Sequence, residues 1–302
     1  MIRSVEAIAI SQSFPIKTPL RYPGGKAKAL KQIIDRFPRA IAEFREPFVG
    51  GGSVFIAFRQ LYRDRPVWIN DLNPETYYFW KCARDNLAAL VDSVRHVKAT
   101  CKQGKELFRE LAAIDPSTLS EVERASRFFV LNRISFSGTI EAGGFSQKAF
   151  EKRFTASSIA RLEQLETLLQ DVKITNLDYS ELLHPPGRDV FIFLDPPYFV
   201  AKKSKLYGKK GALHTSFDDD RFAEQMQNCR HNWLITYDDS PTIRQNFEFA
   251  NIYEWQLQYG MNNYKQEKAK KGNELFLSNY KIEEKCFDLD KDKQPKQLDL
   301  DL

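Results

Sequence analysis

Strand-like runs alternate with helical patterns in both outer thirds of the chain, and this alternation limits the possible folds more than any other feature. Residues 42–48 and 65–71 have the composition of strands, residues 51–62 form a helical pattern between them, and Asn73 caps a further predicted helix. Later strands are predicted at 172–176, 189–195, 232–239 and 273–280, with a helix at 217–229 among them. Such alternation is typical of an open α/β sheet with mostly parallel central strands and helices on both faces.

The middle of the chain has a different pattern. Residues from about 87 to 169 are largely helical in pattern and rich in Arg and Lys, and glycines at 137–150 predict a loop or hairpin there. We therefore predict a helical domain, 87–170, inserted between two parts of a sheet domain, 1–86 and 171–281. The tail, 282–302, alternates charge with few aromatic residues and is predicted to be disordered.

Composition excludes few classes of protein. Of the 302 residues, 42% are hydrophobic and 28% are charged. The chain has 45 Lys and Arg residues against 40 Asp and Glu residues. A polyanionic partner would therefore need this small excess concentrated on one face. The four cysteines include no CxxC pair, and neither they nor the four histidines have metal-ligand spacing, so we predict reduced thiols, no metal and a cytoplasmic location.

No segment has the pattern of a targeting or membrane sequence. The only apolar run near the start contains Glu6, which makes it a poor signal peptide. No stretch approaches the roughly 20 apolar residues that a membrane span requires. We therefore predict no membrane association.

A glycine-rich turn stands between the first predicted strand and helix. Gly50 and Gly52 let backbone amides approach a ligand closely, and the start of a helix favours a negative group. Asp71 ends the next strand, 21 residues after Gly50, where a carboxylate can accept hydrogen bonds from both hydroxyls of a ribose. Phe55 stands where the dinucleotide fingerprint has its third glycine, so this turn, with Phe48, favours an adenosyl ligand over NAD. The alternative is a plain glycine turn followed by an N-capping Asp.

The stretch "RYPGGKAKAL", 21–30, delivers a lysine to the start of a helix. Pro23 and two glycines form the turn before Lys26. Ala27 stands where a P-loop would have the Ser or Thr that binds magnesium, so this is not a P-loop. A simple helix-entry turn remains the alternative for this stretch.

The stretch "FIFLDPPYFV", 191–200, ends an apolar strand on a carboxylate. Asp195 is expected at the carboxyl edge of the sheet, where open α/β folds bind ligands. Pro196 and Pro197 have no N–H, so the nearby carbonyls can only accept, and Tyr198 can stack on a ring. Such acceptors suit the amino group of a planar heterocycle, because holding both of its hydrogens localises the nitrogen lone pair. The alternative is a common Asp-Pro strand terminator.

Five motifs in this order resemble those of the Dam-type (D12 class) DNA adenine-N6 methyltransferases in the α arrangement. They are "RYPGGK", "FREPFVGGGSVF", "IND", "LDPPY" and "NELFLSNY", and the resemblance covers about 21–280. The Asp of "DPPY" resembles the adenine enzymes more than the cytosine-N4 enzymes. The resemblance implies a Rossmann-like fold that uses S-adenosylmethionine, with the inserted helical region as its target-recognition domain.

The resemblance also implies roles for single residues. Tyr22, Lys26, Asp71 and Asp195 match positions that contact S-adenosylmethionine, and Asp195 also matches the acceptor of the target amine. In "NRISFSG", 132–138, Arg133 and Ser137 match a DNA-contacting Asn-Arg…Phe-Asn-Gly segment, with Ser137 in place of Asn. Residues 139–150 depart from the Arg-rich hairpin that reads GATC in the Dam enzymes, so the recognition sequence is left open.

A lysine-rich run follows the Asp-Pro-Pro-Tyr motif. Its position beside the target pocket predicts a loop that grips phosphates, whereas a solvated loop is the alternative. Residues 265–271 form a second and weaker basic run. The predicted phosphate contacts are Lys202, Lys203, Lys205, Lys209 and Lys210.

Together these features predict a site-specific DNA methyltransferase that moves a methyl group from S-adenosylmethionine to N6 of an adenine flipped out of double-stranded DNA. We expect a monomer, with a cognate restriction endonuclease as a further partner. The alternatives are an amino-methyltransferase acting on cytosine-N4 or RNA, a catalytically silent DNA-binding protein, and a nicotinamide oxidoreductase.

Overall fold

The computed structural model describes residues 14–140, 142–198, 217–258 and 271–283, and these form a sheet of seven strands with helices around it. The strand order is β3-β2-β1-β4-β5-β7-β6. Strands β1 to β5 pair in parallel, whereas β7 lies antiparallel between β5 and β6. The strands are β1 (Glu43–Glu46), β2 (Val67–Asn70), β3 (Lys173–Thr175), β4 (Val190–Leu194), β5 (Asn232–Asp238), β6 (Asn251–Gln258) and β7 (Lys271–Ser278). The predicted α/β class with parallel central strands is therefore confirmed.

Strand β4 shows why the sheet is covered on both faces. All five of its residues are buried, as expected of a central parallel strand that is covered on both sides. Phe191 and Phe193 belong to one hydrophobic cluster, and Val190, Ile192 and Leu194 belong to another. Since strand side chains alternate between faces, each cluster lies on one face of the sheet.

The helices outside the middle region pack on these two faces. Asn73 accepts a hydrogen bond from the backbone of Glu75, which confirms the predicted cap. The predicted strands and helices are present, with ends that shift by one or two residues. The helices are α1 (Leu30–Ile34), α2 (Ser53–Leu61), α3 (Pro74–Asp85), α10 (Asp219–Asn228) and α11 (Pro241–Asn246).

The middle region is helical, as expected. Its helices are α4 (Leu87–Thr100), α5 (Gly104–Ala113), α6 (Glu121–Ile134), α7 (Gln147–Arg153), α8 (Ala156–Glu163) and α9 (Glu166–Leu169). The expectation of a loop or hairpin at 137–150 is wrong for the last four residues, because 147–150 are the first residues of α7. The loop itself is closed by a single antiparallel bridge between Ser135 and Phe145.

The core is continuous between the sheet and the middle region. Phe79 of α3 lies against α6, with ring centroids 5.6 Å from Phe128 and 6.2 Å from Phe129. These rings share one hydrophobic cluster with residues of β1, β4 and α2. The division into domains stays a prediction, and the core crosses its boundary near residue 87.

In the part of the chain that the structure describes, no helix is both long and apolar enough to span a membrane. The predicted phosphate-gripping lysines at 202–210, most of the weaker run at 265–271 and the tail from 284 onward lie outside the described residues.

Candidate active site

A cleft of about 620 Å³ opens at the carboxyl ends of β1, β2 and β4. The sequence motifs that end these strands meet there because the ends of parallel strands share one edge of a sheet. Every residue predicted for the cofactor or the target amine lines the cleft: Tyr22, Lys26, Phe48, Gly50, Gly52, Asp71, Asp195, Pro196, Pro197 and Tyr198.

The glycine turn after β1 forms one wall of the cleft. Gly50 and Gly52 have φ values of 43° and 69°. Residues other than glycine rarely adopt this left-handed backbone conformation. A Cβ atom on Gly50 would lie 2.7 Å from the ring of Tyr22, so this ring packs directly on the turn. The indole Nε1 of Trp80 donates to the carbonyl oxygen of Gly50 at 3.0 Å. The turn is therefore fixed from both sides.

Asp71 follows β2 and is tied to the glycine turn. Its Oδ2 accepts from the backbone amide of Gly50 at 2.9 Å, and its Oδ1 accepts from that of Asn73 at 2.9 Å. Burial raises the pKa of Asp71 to about 6, although these two hydrogen bonds oppose the rise. A carboxylate has about four acceptor directions, so two remain for a ligand in the cleft.

Asp195 follows β4 and is held by a buried lysine. The Nζ of Lys26, which is 2% exposed, lies 2.7 Å from Oδ1 and 2.8 Å from Oδ2 of Asp195. The hydroxyl of Thr236 on β5 donates to the same Oδ1 at 2.9 Å. Lys26 also donates to the carbonyl of Gly24 at 2.9 Å. These contacts fix the orientation of the Asp195 carboxylate and leave about one acceptor direction open.

Tyr198 packs among aromatic and charged groups. Its ring is stacked on Tyr237 with centroids 6.0 Å apart, and the Nζ of Lys26 lies 4.8 Å from its centroid. Its hydroxyl donates to Oε2 of Glu274 on β7 at 2.9 Å. Phe48, which also lines the cleft, stacks on Tyr179 with centroids 5.5 Å apart. The rings of Phe48 and Tyr198 therefore both form part of the cleft wall.

Glu46 is a cleft residue that the sequence reasoning missed. It ends β1, is 3% exposed, and accepts a backbone hydrogen bond from Phe55 at the start of α2. Burial raises the pKa of Glu46 well above its usual value, and the nearby Asp195 and Asp71 raise it further. Among the described residues its Oε2 has no partner. A charged residue at the end of a buried strand indicates a cleft residue in the sequence, and Glu46 has this pattern as Asp195 does.

Arg133 and Ser137 do not line the cleft. Arg133 is 5% exposed, and its guanidinium donates to the carbonyls of Pro19 and Arg153 at 3.1 and 2.8 Å. This placement differs from the expected DNA contact, because the side chain ties α6 to the segment before Arg21. Burial and the charge of Arg21 lower the pKa of Arg133 to about 9. Ser137 has a φ of 51° in the loop after α6, a conformation that Asn tolerates better than most residues.

The sheet order, with an antiparallel β7 inserted beside β5, and the Asp-Pro-Pro-Tyr cleft at the carboxyl edge define a Rossmann-like amino-methyltransferase. Residues 22–261 match the family model of the D12 class N6 adenine-specific DNA methyltransferase, and the chain belongs to this family. The family predicted from the sequence is confirmed.

Several relatives match over much of the chain. The type II methyltransferase M1.LlaDCHI of Lactococcus lactis subsp. cremoris is 24% identical over 275 residues, 86% of this chain and 94% of that protein. The type II methyltransferase M.MjaIII of Methanocaldococcus jannaschii is 24% identical over 216 residues, 64% of this chain and 72% of that protein. A DNA adenine methylase of Vibrio cholerae is 25% identical over 186 residues, 59% of this chain and 64% of that protein.

Proposed function

We propose that this DNA adenine methyltransferase transfers the methyl group of S-adenosylmethionine to N6 of an adenine that is flipped out of double-stranded DNA. The observation that carries the proposal is the Asp195 carboxylate, which Lys26 and Thr236 hold in place with one acceptor direction open. Pro196 and Pro197 follow it without any backbone N–H. An amino group bound in this cleft therefore faces hydrogen-bond acceptors, and the two prolines offer no backbone N–H that would compete with it.

Several residues of the cleft support S-adenosylmethionine as the cofactor. Gly50 and Gly52 let the rings of Tyr22 and Trp80 pack directly on the turn and so fix its backbone at the cleft, and Phe48 presents an aromatic ring for an adenine. Asp71 has two acceptor directions left for ribose hydroxyls. Glu46 lines the cleft and its Oε2 has no partner among the described residues, which suits the ammonium group of a methionine. When bound, S-adenosylmethionine supplies an electrophilic methyl group on a sulfonium.

The protein's contribution to the reaction is to hold the target nitrogen. Asp195 and a carbonyl near Pro196 accept the two N6 hydrogens, so the lone pair stays on the nitrogen rather than in the ring. In such a transfer the N6–methyl bond would form as the sulfur–methyl bond breaks, the sulfur would leave as a neutral thioether, and the proton released from N6 would pass to solvent. Because a base inside a duplex cannot reach this cleft, the adenine must be flipped out, at a cost of a few kcal/mol. Stacking on Tyr198 and contacts to phosphates offset part of that cost.

The test is to identify the modified base. Purified protein is incubated with DNA, with RNA and with S-adenosylmethionine, and the nucleosides are analysed by mass spectrometry. We expect N6-methyladenine in DNA from the wild type and none from Asp195→Asn, because the amide lacks the charge and can donate toward N6. Asp189→Asn is the matched control, since Asp189 precedes the same strand at its opposite end and is half exposed. N4-methylcytosine or modified RNA as the main product would contradict the proposal.

The proposal extends to the partner and the assembly. Two relatives are named type II methyltransferases, which supports a cognate restriction endonuclease that cuts the same sequence when it is unmethylated. Monomeric action and a cytoplasmic location stay predictions. Sequencing DNA from an expressing host for N6-methyladenine would give the recognition motif that such an endonuclease must share.

A further inference from the structure

The motif "NRISFSG", 132–138, contains a buried side chain to which the proposed function gives no role. Asn132 lies in α6 and is 0% exposed. Its Oδ1 accepts from the backbone amide of Arg21 at 2.9 Å, and its Nδ2 donates to the carbonyl of Arg21 at 2.6 Å. The same Nδ2 donates to the carbonyl of Gly138 at 3.1 Å. One carboxamide therefore joins the backbones of two segments that are distant in sequence.

The segment on one side of Asn132 leads directly into the cleft. Tyr22 follows Arg21, and its ring packs on the glycine turn at Gly50. Four residues further on, the Nζ of Lys26 is paired with Asp195. This short segment therefore contacts both the glycine turn and the carboxylate that accepts from the target amine in the proposed function.

The segment on the other side of Asn132 is the loop after α6, 135–146. Asn132 holds this loop at Gly138, and the guanidinium of Arg21 donates to the carbonyl of Ser135 at 3.1 Å. The ring of Phe136 is exposed on the same loop. In the part of the loop that the structure describes, no residue lines the cleft. The loop and the cleft are thus separate surfaces that are joined through Arg21 and Asn132.

We propose that Asn132 is a positioning residue that couples DNA binding at this loop to cofactor binding in the cleft. The inference rests on the proposed function, which supplies both ligands. A cofactor that packs on the glycine turn would order Tyr22 and the backbone of Arg21, and Asn132 would extend this order to the loop. The ligand that binds first then bears the entropic cost of ordering the segment, so the second ligand binds more tightly. By linkage, each ligand must raise the affinity for the other by the same factor.

The directions of the hydrogen bonds explain why an amide is required at this position. A carboxamide has an acceptor and two N–H donors, so Asn132 can pair with both the N–H and the C=O of Arg21. Alanine would leave these buried backbone groups without their partner. Aspartate could accept from the amide of Arg21 but could donate to neither carbonyl, so Asn132→Asp should break the contact with Gly138.

The test measures the coupling by calorimetric titration with S-adenosylhomocysteine, the product form of the cofactor, so that no turnover occurs. The DNA is a duplex that carries the motif found by sequencing methylated DNA from an expressing host. In the wild type, saturating duplex should tighten the binding of S-adenosylhomocysteine about 5- to 150-fold, the usual range for coupling between two sites. In Asn132→Ala and in Asn132→Asp this coupling factor should fall close to one.

Asn279→Ala is the matched control, because its carboxamide makes the same kind of contact elsewhere. Asn279 accepts from the backbone amide of Trp233 at 3.0 Å and donates to the carbonyl of His231 at 2.8 Å. These contacts lie at the start of β5, whereas the cleft lies at the carboxyl ends of the parallel strands. The control should change stability without changing the coupling factor. A merely structural role of Asn132 would give both variants the same result.

Hydrogen exchange on the wild type gives a readout that needs neither DNA nor a variant. S-adenosylhomocysteine alone should slow the exchange of backbone amides in 135–146, while α8, which does not line the cleft, should keep its rate. The inference is overturned if the loop amides exchange as before, if the wild-type coupling factor is one, if a folded Asn132→Ala keeps the wild-type factor, or if Asn279→Ala loses it. A wild type that does not bind S-adenosylhomocysteine, or that makes no N6-methyladenine, would instead overturn the proposed function.

Discussion

At the scale of single residues, three of the acids that line the cleft have different partners. Asp195 is paired with the ammonium of Lys26. Asp71 accepts hydrogen bonds from two backbone amides, and Glu46 accepts a hydrogen bond from one. The pKa of Asp71 is about 6, and that of Glu46 is raised well above its usual value because burial dominates. Burial therefore raises the pKa of both Asp71 and Glu46, but two backbone amides compensate it at Asp71 and only one at Glu46.

Asp71 makes a prediction about cofactor affinity. Asp71→Ala should weaken S-adenosylmethionine binding by about 1.5–3 kcal/mol, the usual worth of hydrogen bonds to a charged group. In the wild type the affinity should also fall as the pH drops from 7 to 5, because protonation through the pKa of about 6 removes the charged acceptor. This pH dependence should flatten in the variant. Calorimetric titration measures both effects, with the exposed Asp64→Ala as control. Unchanged affinity would mean that Asp71 only supports the glycine turn and the start of α3.

At the scale of elements, the period of the apolar residues was enough to predict most strands and helices. Strand β6 was missed because polar residues interrupt its apolar run, as is common for an edge strand that faces solvent. The start of α7 was missed because nearby glycines favoured a loop over the whole segment. Ser146 in fact accepts from the backbone amide of Ala149 and begins the helix.

The loop after α6 makes a prediction about DNA contact. Phe136 is 61% exposed, yet its backbone is fixed, because its amide donates to Gly144 and Asn132 donates to the carbonyls of Gly138 and Arg21. An exposed aromatic ring on a fixed turn is suited to wedge against bases. Phe136→Ala should weaken DNA binding by about 1–3 kcal/mol, the worth of stacking on one base.

The stability of the Phe136→Ala variant should change little, because the ring is mostly exposed. Ile114→Ala, at an exposed apolar position after α5, is the control and should leave DNA affinity unchanged. Equal affinities of Phe136→Ala and the wild type in a fluorescence anisotropy titration would rule out the wedge.

At the scale of the whole molecule, the site could be predicted wherever a motif ends a parallel strand. Gly50, Asp71 and Asp195 meet because β1, β2 and β4 end at one edge of the sheet. The contacts of Thr236 with Asp195 and of Glu274 with Tyr198 could not be predicted, since they depend on β5 lying beside β4 and on β7 lying beside β5. The burial of Arg133 was hidden for a similar reason, because its partners are carbonyls of segments that are distant in sequence.

DNA affinity and sequence specificity should depend on different parts of the molecule. If the lysines at 202–210 bind phosphates, neutralising two of them should weaken binding to every DNA sequence alike. The slope of log K against log salt should flatten by about 0.9 for each phosphate that the variant no longer neutralises. Changes within 139–150 should instead alter the methylated motif, because base contacts carry sequence information. Binding across a salt series and sequencing of methylated DNA test both sets, and the opposite pattern would reverse the two assignments.

The position of β4 in the sheet has a consequence during synthesis of the protein. Strand β1 pairs with β2 on one side and with β4 on the other, but β4 follows about 140 residues after β1 ends. At about 5–20 residues per second, the ribosome needs roughly 7–30 s to add that length. For that time β1 has one edge whose backbone N–H and C=O groups are unpaired, which is a template for aggregation. Lys26 likewise cannot pair with Asp195, 169 positions later, until that residue has been synthesised. A nascent chain therefore has no complete active site until most of it has been made.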